Sequence, residues 1–349
     1  MTTKSTTITT PATLIEELVE RTRLSWLQAT AAVGLVLLLL LVGAAYLNGV
    51  LARPYGYSWW DTVRRVVWHE VDKPVIIVYF LSFQLILRRL RDGAIEALRP
   101  LAAMDGDAYD RLVAETFTLD RHREWLAVGT GVMAGLLLDP PWRLGGYYFW
   151  PMALYLSLST MLAFGLLGWL LYVSLANSRL FADLLSQPLD IDVFDPTPLE
   201  STARWSLGLS LAFIGGITLS ALLNPTAEEF LSIEGVITYG TVILVAVLVF
   251  FLTMMSTHRV MAEAKEQKLK LVRRYLAETF QELEERAAAA QLQDMEALSD
   301  SITAWLAYEK RIEEAPEWPY TTDIIRNLLL STLLPIVAWA AQIIVEFIT

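Results

Sequence analysis

Apolar residues along this chain gather into seven runs, at 26–52, 75–90, 126–138, 149–176, 203–223, 236–257 and 325–347, with polar connections between them. A helix needs about 20 mostly apolar residues to cross hydrocarbon. The second run is therefore marginal, and the third is short enough to draw on its flanks. The pattern predicts an all-α, polytopic membrane protein with seven transmembrane helices.

Local signals place several of the remaining elements. Residues 13–24 read as a short amphipathic helix, with Leu14, Leu18 and Leu24 on one side and Glu16, Glu17 and Arg21 elsewhere. Trp59, Trp60, Val63, Val66, Val67 and Trp68 suit an interfacial helix, because indoles favour the headgroup level. Residues 88–125 form a helical, basic-then-acidic connection with a break near Met104 to Asp107. Thr197-Pro-Leu-Glu200 has the form of a capping box with Pro at the first helical position, and Thr226-Ala-Glu-Glu229 repeats the form.

The sixth run has no stop signal. Its helical pattern passes through His258 toward Ala290, so one helix of more than about 45 residues projects tens of ångströms past the bilayer at 1.5 Å per residue. Beyond the membrane it carries Leu269, Val272, Leu276, Phe280 and Leu283, the spacing of a helix seam. A second stripe, Leu298, Ile302, Trp305, Leu306 and Ile312, can fold back as its antiparallel partner before Pro316 and Pro319 end it. The chain thus divides into a cytoplasmic amphipathic segment (1–25), spans one to six with their loops (26–257), a cytoplasmic helical hairpin that acts as an anchor (258–320) and a final span (321–349).

Charge orients these elements. With the N-terminus inside, the outer loops hold only Arg53, Arg64, Arg65, Lys73 and Arg143, and every other Lys and Arg falls on the inner side. The Lys/Arg bias near span ends sets orientation, so the N-terminus is expected inside and the C-terminus outside. The first apolar run follows 25 polar residues and no small-residue cleavage site follows it, so it reads as a retained anchor. The expected location is a prokaryotic plasma (inner) membrane.

Composition then narrows the chemistry. Hydrophobic residues make up 55% of the 349 and the mean hydropathy is +0.44, which fits an integral membrane domain. The absence of Cys removes disulfides and thiol catalysis. A net charge of −11 disfavours nucleic acid, whose phosphates need a basic surface. The middle third of each predicted span lacks Lys, Arg, Asp and Glu, which argues against a proton- or sodium-coupled transporter.

Candidate metal sites read as structural. Asp190, Asp192 and Asp195 miss the calcium-loop pattern, since Asp195 stands where Gly is needed and Ser201 where Glu is needed. His69, Glu70 and Asp72 lack the H-E-x-x-H spacing, because Lys73 occupies the second His position. No Gly-rich phosphate loop or nucleophile elbow is present, so neither an enzyme, a cofactor nor a metal site is expected.

In the last run, Ser331, Pro335, Ala338, Gln342 and Glu346 recur every three or four residues as one small or polar stripe. In a symmetric oligomer such a stripe could line a pore, with Gln342 and Glu346 as rings near the outer mouth where carboxylates favour cations. The alternative is close helix packing at Ser331 and Ala338, with Glu346 among outer headgroups. Tyr147, Tyr148, Trp150 and Tyr155 could likewise line an outer pocket for a small ligand or form an aromatic belt.

Seven spans, an inner N-terminus, an outer C-terminus, an extended sixth helix, a folded-back helix and a final span: this layout resembles the insect odorant and gustatory receptor channels. The resemblance is one of architecture; Ser331-Thr-Leu-Leu-Pro335 lacks the aromatic of the family's last-span Thr-Tyr signature. It implies four subunits around one pore lined by the final span, with the cytoplasmic ends of spans four to six and the folded-back helix anchoring the tetramer. The functional expectation is a ligand-gated, weakly selective cation channel. A non-conducting scaffold or sensor, or an uncoupled transporter of an apolar solute, remains open beside it. The expected partners are the bilayer, further copies of the chain and a small-molecule ligand.

Overall fold

The computed structural model describes residues 13–48, 70–117, 119–138, 150–187, 189, 191–223, 233–288, 295–319 and 322–348, the side chains of 234, 235, 238, 239, 295, 296, 322, 339 and 342–348 excepted. Among these the chain is all-helical. In order the helices are α1 (Leu14–Arg21), α2 (Trp26–Leu47), α3 (Asp72–Leu98), α4 (Gly106–Thr116), α5 (Arg121–Leu138), α6 (Trp150–Leu185), α7 (Thr197–Leu223), α8 (Ile233–Ala288), α9 (Met295–Glu313) and α10 (Thr322–Ile348). By length and composition α2, α6, α7 and the stretch of α8 from Gly240 are apolar enough to cross a membrane. The apolar runs at 75–90, 126–138 and 325–347 lie within α3, α5 and α10.

Helix α7 is the centre of the bundle. It packs against α3, α8 and α10, and the sides toward α8 and α3 are prepared by small residues. Toward α8 it presents Thr202, Ser206 and Ser210, one turn apart. Ser206 Oγ donates to Phe250 O at 3.2 Å, Ser210 Oγ donates to Ala246 O at 3.0 Å, and the Thr202 and Thr257 hydroxyls lie 3.3 Å apart. Hydroxyls of this kind join helices where apolar surroundings give no hydrophobic drive between them. Toward α3, Gly215 and Gly216 leave room for Tyr79 and Phe80, and the Tyr79 hydroxyl donates to Leu211 O at 3.3 Å.

Helices α5 and α6 cross more closely still. A Cβ at Gly131 would stand 2.2 Å from Phe164 O, and one at Gly168 would stand 2.5 Å from Ala127 O. Only glycine allows two backbones to meet at that distance, so these positions fix the crossing.

The first helix docks by its end. Thr13 and Glu16 form a reciprocal capping box, as the spacing allows. Leu14 and Ile15 are buried while Leu18 and Leu24 are exposed. The leucine face expected from the pattern is therefore divided, because polar contacts hold the first turn of α1. Ser25 and Gln28 cap α2 in the same way, and Trp26 Nε1 donates to Leu81 O at 2.7 Å.

Helix α8 runs for 56 residues without a break. After α9 returns along it, the chain enters α10 within a few residues. The start of α7 lies where the sequence places it, but Asp195 supplies the cap, accepting from Thr197 N at 3.1 Å. A hydrogen bond from the Thr197 side chain, then this one from its backbone, holds the Asp195 carboxyl below its ordinary value.

Candidate functional site

The hairpin base, where the chain leaving α9 lies on α8, carries a set of specific contacts at the join of the apolar and polar parts. Lys265 of α8 is 9% exposed, and its ammonium donates to Glu313 O at 2.7 Å, Ala315 O at 3.0 Å and Glu317 Oε1 at 3.0 Å. The last carbonyls of a helix lack intrahelical partners and carry partial negative charge, so a buried cation there seals the end of α9. About two turns earlier, His258 stacks on Trp318 with ring centroids 3.8 Å apart and planes at 7°. Its Nδ1 lies 2.8 Å from Glu317 O. A carbonyl only accepts, so Nδ1 carries the proton in that bond. Together these contacts clasp residues 313–318 to α8.

Further along the hairpin, Val272, Leu276, Ile302 and Ile312 are buried, with Leu269, Leu283 and Trp305 packed against them. Phe280 is exposed, and Leu298 is half-buried. Tyr275 stacks on Trp305. Arg273 spans the pair, with Nε donating to Glu309 at 2.6 Å and Nη2 to Glu313 at 2.9 Å. Glu309, then Glu313, raise its guanidinium pKa further. The turn before α7 plugs the base: Val193 is buried in the hairpin core, Phe194 lies beneath the Arg311 guanidinium at 4.8 Å, and Asp192 pairs with Lys268 at 3.6 Å. The acidic turn thus uses Asp192 and Asp195 for capping and docking.

In α10, Ser331, Pro335 and Ala338 are all buried, and the helix packs chiefly on α7. Gln342 and Glu346 continue that stripe in register, but their side chains lie outside the described residues. The opposite face, Leu329, Leu330, Leu333, Leu334, Ile336 and Val337, is exposed. Pro335 cannot donate to the carbonyl one turn earlier, which leaves a weak point in the helix. Among the aromatics expected to line a ligand pocket, Tyr147 and Tyr148 lie outside the described residues. Trp150 is exposed and Tyr155 is buried against Leu41, Ala44, Met152 and Leu156.

Sequence reasoning missed a buried ionic hub at the hairpin end of the bundle. Glu124 is 1% exposed and accepts from Leu14 N at 3.1 Å, Trp169 Nε1 at 3.2 Å and Arg121 at 3.2 Å. Arg121 also pairs with Glu17, and Glu16 with Arg88 at 3.4 Å. A charged residue at the edge of an apolar run gives no sign in one sequence that a distant backbone N–H will reach it. No family model, no curated protein and no solved structure matches the chain.

Proposed function

We propose that the chain is a seven-span subunit of a homotetrameric, weakly selective cation channel of a prokaryotic inner membrane, opened by a small ligand. The observation that carries the reading is the setting of α10. It is held chiefly by one neighbour, follows soon after the clasped hairpin, and leaves an apolar face exposed from Leu329 to Val337. A peripheral helix with one face free is where a second subunit or lipid must lie.

The two faces of α10 suit two states. With Ser331, Pro335 and Ala338 turned to α7, the surfaces left for a shared conduit are Leu330, Leu334 and Val337. An apolar constriction of that kind shuts by dewetting. Rotation of α10 about the Pro335 weak point would carry the small and polar stripe into the conduit, with Gln342 and Glu346 toward the outer mouth. The clasp at Lys265 and His258 ties that rotation to the hairpin.

Oligomeric state by mass photometry in nanodiscs comes first, followed by cation flux into proteoliposomes. A tetramer whose flux falls on Glu346→Gln and whose closed-state leak rises on Leu334→Ser supports the reading. A monomer, or a tetramer without flux under any ligand or voltage tried, removes it. The second reading, a non-conducting sensor that signals through the hairpin, is favoured by the unbroken passage of α8 from the bundle into the hairpin. It is the reading left standing if the assembled protein does not conduct.

A further inference from the structure

Between α3, α6 and α7, toward the hairpin end, lies a cavity with about 10 Å³ open to the centre of a water molecule. Its walls include Gln84 and Arg91 of α3, Ser174 and Asn177 of α6, and Trp205 of α7. Gln84 and Asn177 are each 5% exposed. The Oε1 of Gln84 and the Oδ1 of Asn177 have no hydrogen-bond partner. Leaving a buried acceptor unmet is costly, so two such atoms around one cavity call for a donor between them.

The chemistry of the walls identifies the occupant. Both unmet atoms accept, so the occupant must donate. Arg88, on the cavity's rim, pairs with Glu16 at 3.4 Å and lies 3.9 Å from Asp92. Arg91 pairs with Asp92 at 2.8 Å and covers the Phe117 ring at 4.7 Å. Two guanidinium groups therefore stand against two carboxylates, and the surroundings have no net charge to draw an ion. Ser174 Oγ is spent on Leu170 O at 2.6 Å. A polar cavity holds a water once it offers about 10–15 Å³ of this measure and two to four polar partners.

We infer that this cavity is a binding site for one ordered water, which donates to Gln84 Oε1 and Asn177 Oδ1 and joins α3 to α6 beside α7. Such a water makes the junction a hydrated joint. With the water in place neither amide oxygen is left unmet in the cavity wall.

The test uses the full chain in nanodiscs. A double-mutant cycle compares Gln84→Met, Asn177→Leu and the pair by thermal melting. If one water bridges both amides, each single change strands the other amide and lowers the midpoint by a few degrees, and the pair is milder than the two singles added. Additive effects overturn the proposal. A second arm compares the unmodified protein with the double variant: any change of midpoint when potassium replaces sodium or nitrate replaces chloride at equal ionic strength should be the same in both. An ion dependence that the double variant loses would make the occupant an ion and overturn the assignment to water.

Discussion

Gly131 and Gly129 sit two residues apart on α5, yet alanine at the two positions should have opposite consequences. Nothing lies within 4 Å of a Cβ at Gly129, whereas at Gly131 it would stand 2.2 Å from Phe164 O, 3.0 Å from Phe164 C and 3.2 Å from Gly165 Cα. Those neighbours are backbone of the packed helix, so relief requires α5 and α6 to move apart by about 1 Å. Both substitutions gain the same helix propensity, roughly 0.8–1.0 kcal/mol. Their difference therefore isolates the crossing, and overpacking of this kind costs ~1–3 kcal/mol. At roughly 2–4 °C per kcal/mol for chains of a few hundred residues, Gly131→Ala should melt several degrees below Gly129→Ala. The 12 tryptophans provide the intrinsic fluorescence for the melt. Equal midpoints would refute the close crossing.

Two further outcomes follow from buried polar groups. Replacing Glu124 by Leu removes the shared acceptor of Leu14 N, Trp169 Nε1 and Arg121 and leaves buried donors unmet, costing about 2–4 kcal/mol; Glu124→Gln retains an acceptor oxygen and should cost less. Limited proteolysis near α1 should accelerate in the Leu variant and hardly change in the Gln variant, and equal rates would count against end-on docking. Tyr109, in α4, donates its hydroxyl to Ile95 O at 2.6 Å, and burial, the largest influence on it, raises its pKa above the ordinary phenol value. Because the folded value is the higher one, this stabilisation is complete below about pH 10 and is lost as pH rises from there through the folded value. Tyr109→Phe should flatten the alkaline limb of a stability profile, and an unchanged limb would show that other groups dominate it.

The helical class, the reach of α8 beyond its apolar run and the return of α9 were legible because period and length survive in one dimension. A 3.6-residue repeat specifies a helix, and the lack of Gly or Pro from 241 to 288 specifies that it continues. The capping boxes at Thr13 and Ser25 are equally local, yet the sequence reading placed its boxes at Thr197 and Thr226 and passed over these two. Which face meets which neighbour was not local. Ser331, Pro335 and Ala338 form a stripe that reads equally as packing or as a conduit, and packing on α7 turns it inward in the protomer. Phe280 keeps the seam's spacing, yet lies exposed, because the register of α9 against α8 decides which seam positions are covered. Glu124, Gln84 and Asn177 are buried by partners 45 to 110 residues away or by a third helix, and no spacing along the chain records such meetings. The sequence by itself determined the elements, since those follow from neighbouring residues. The tertiary structure decided the interfaces, since a side chain's surroundings depend on how whole helices cross.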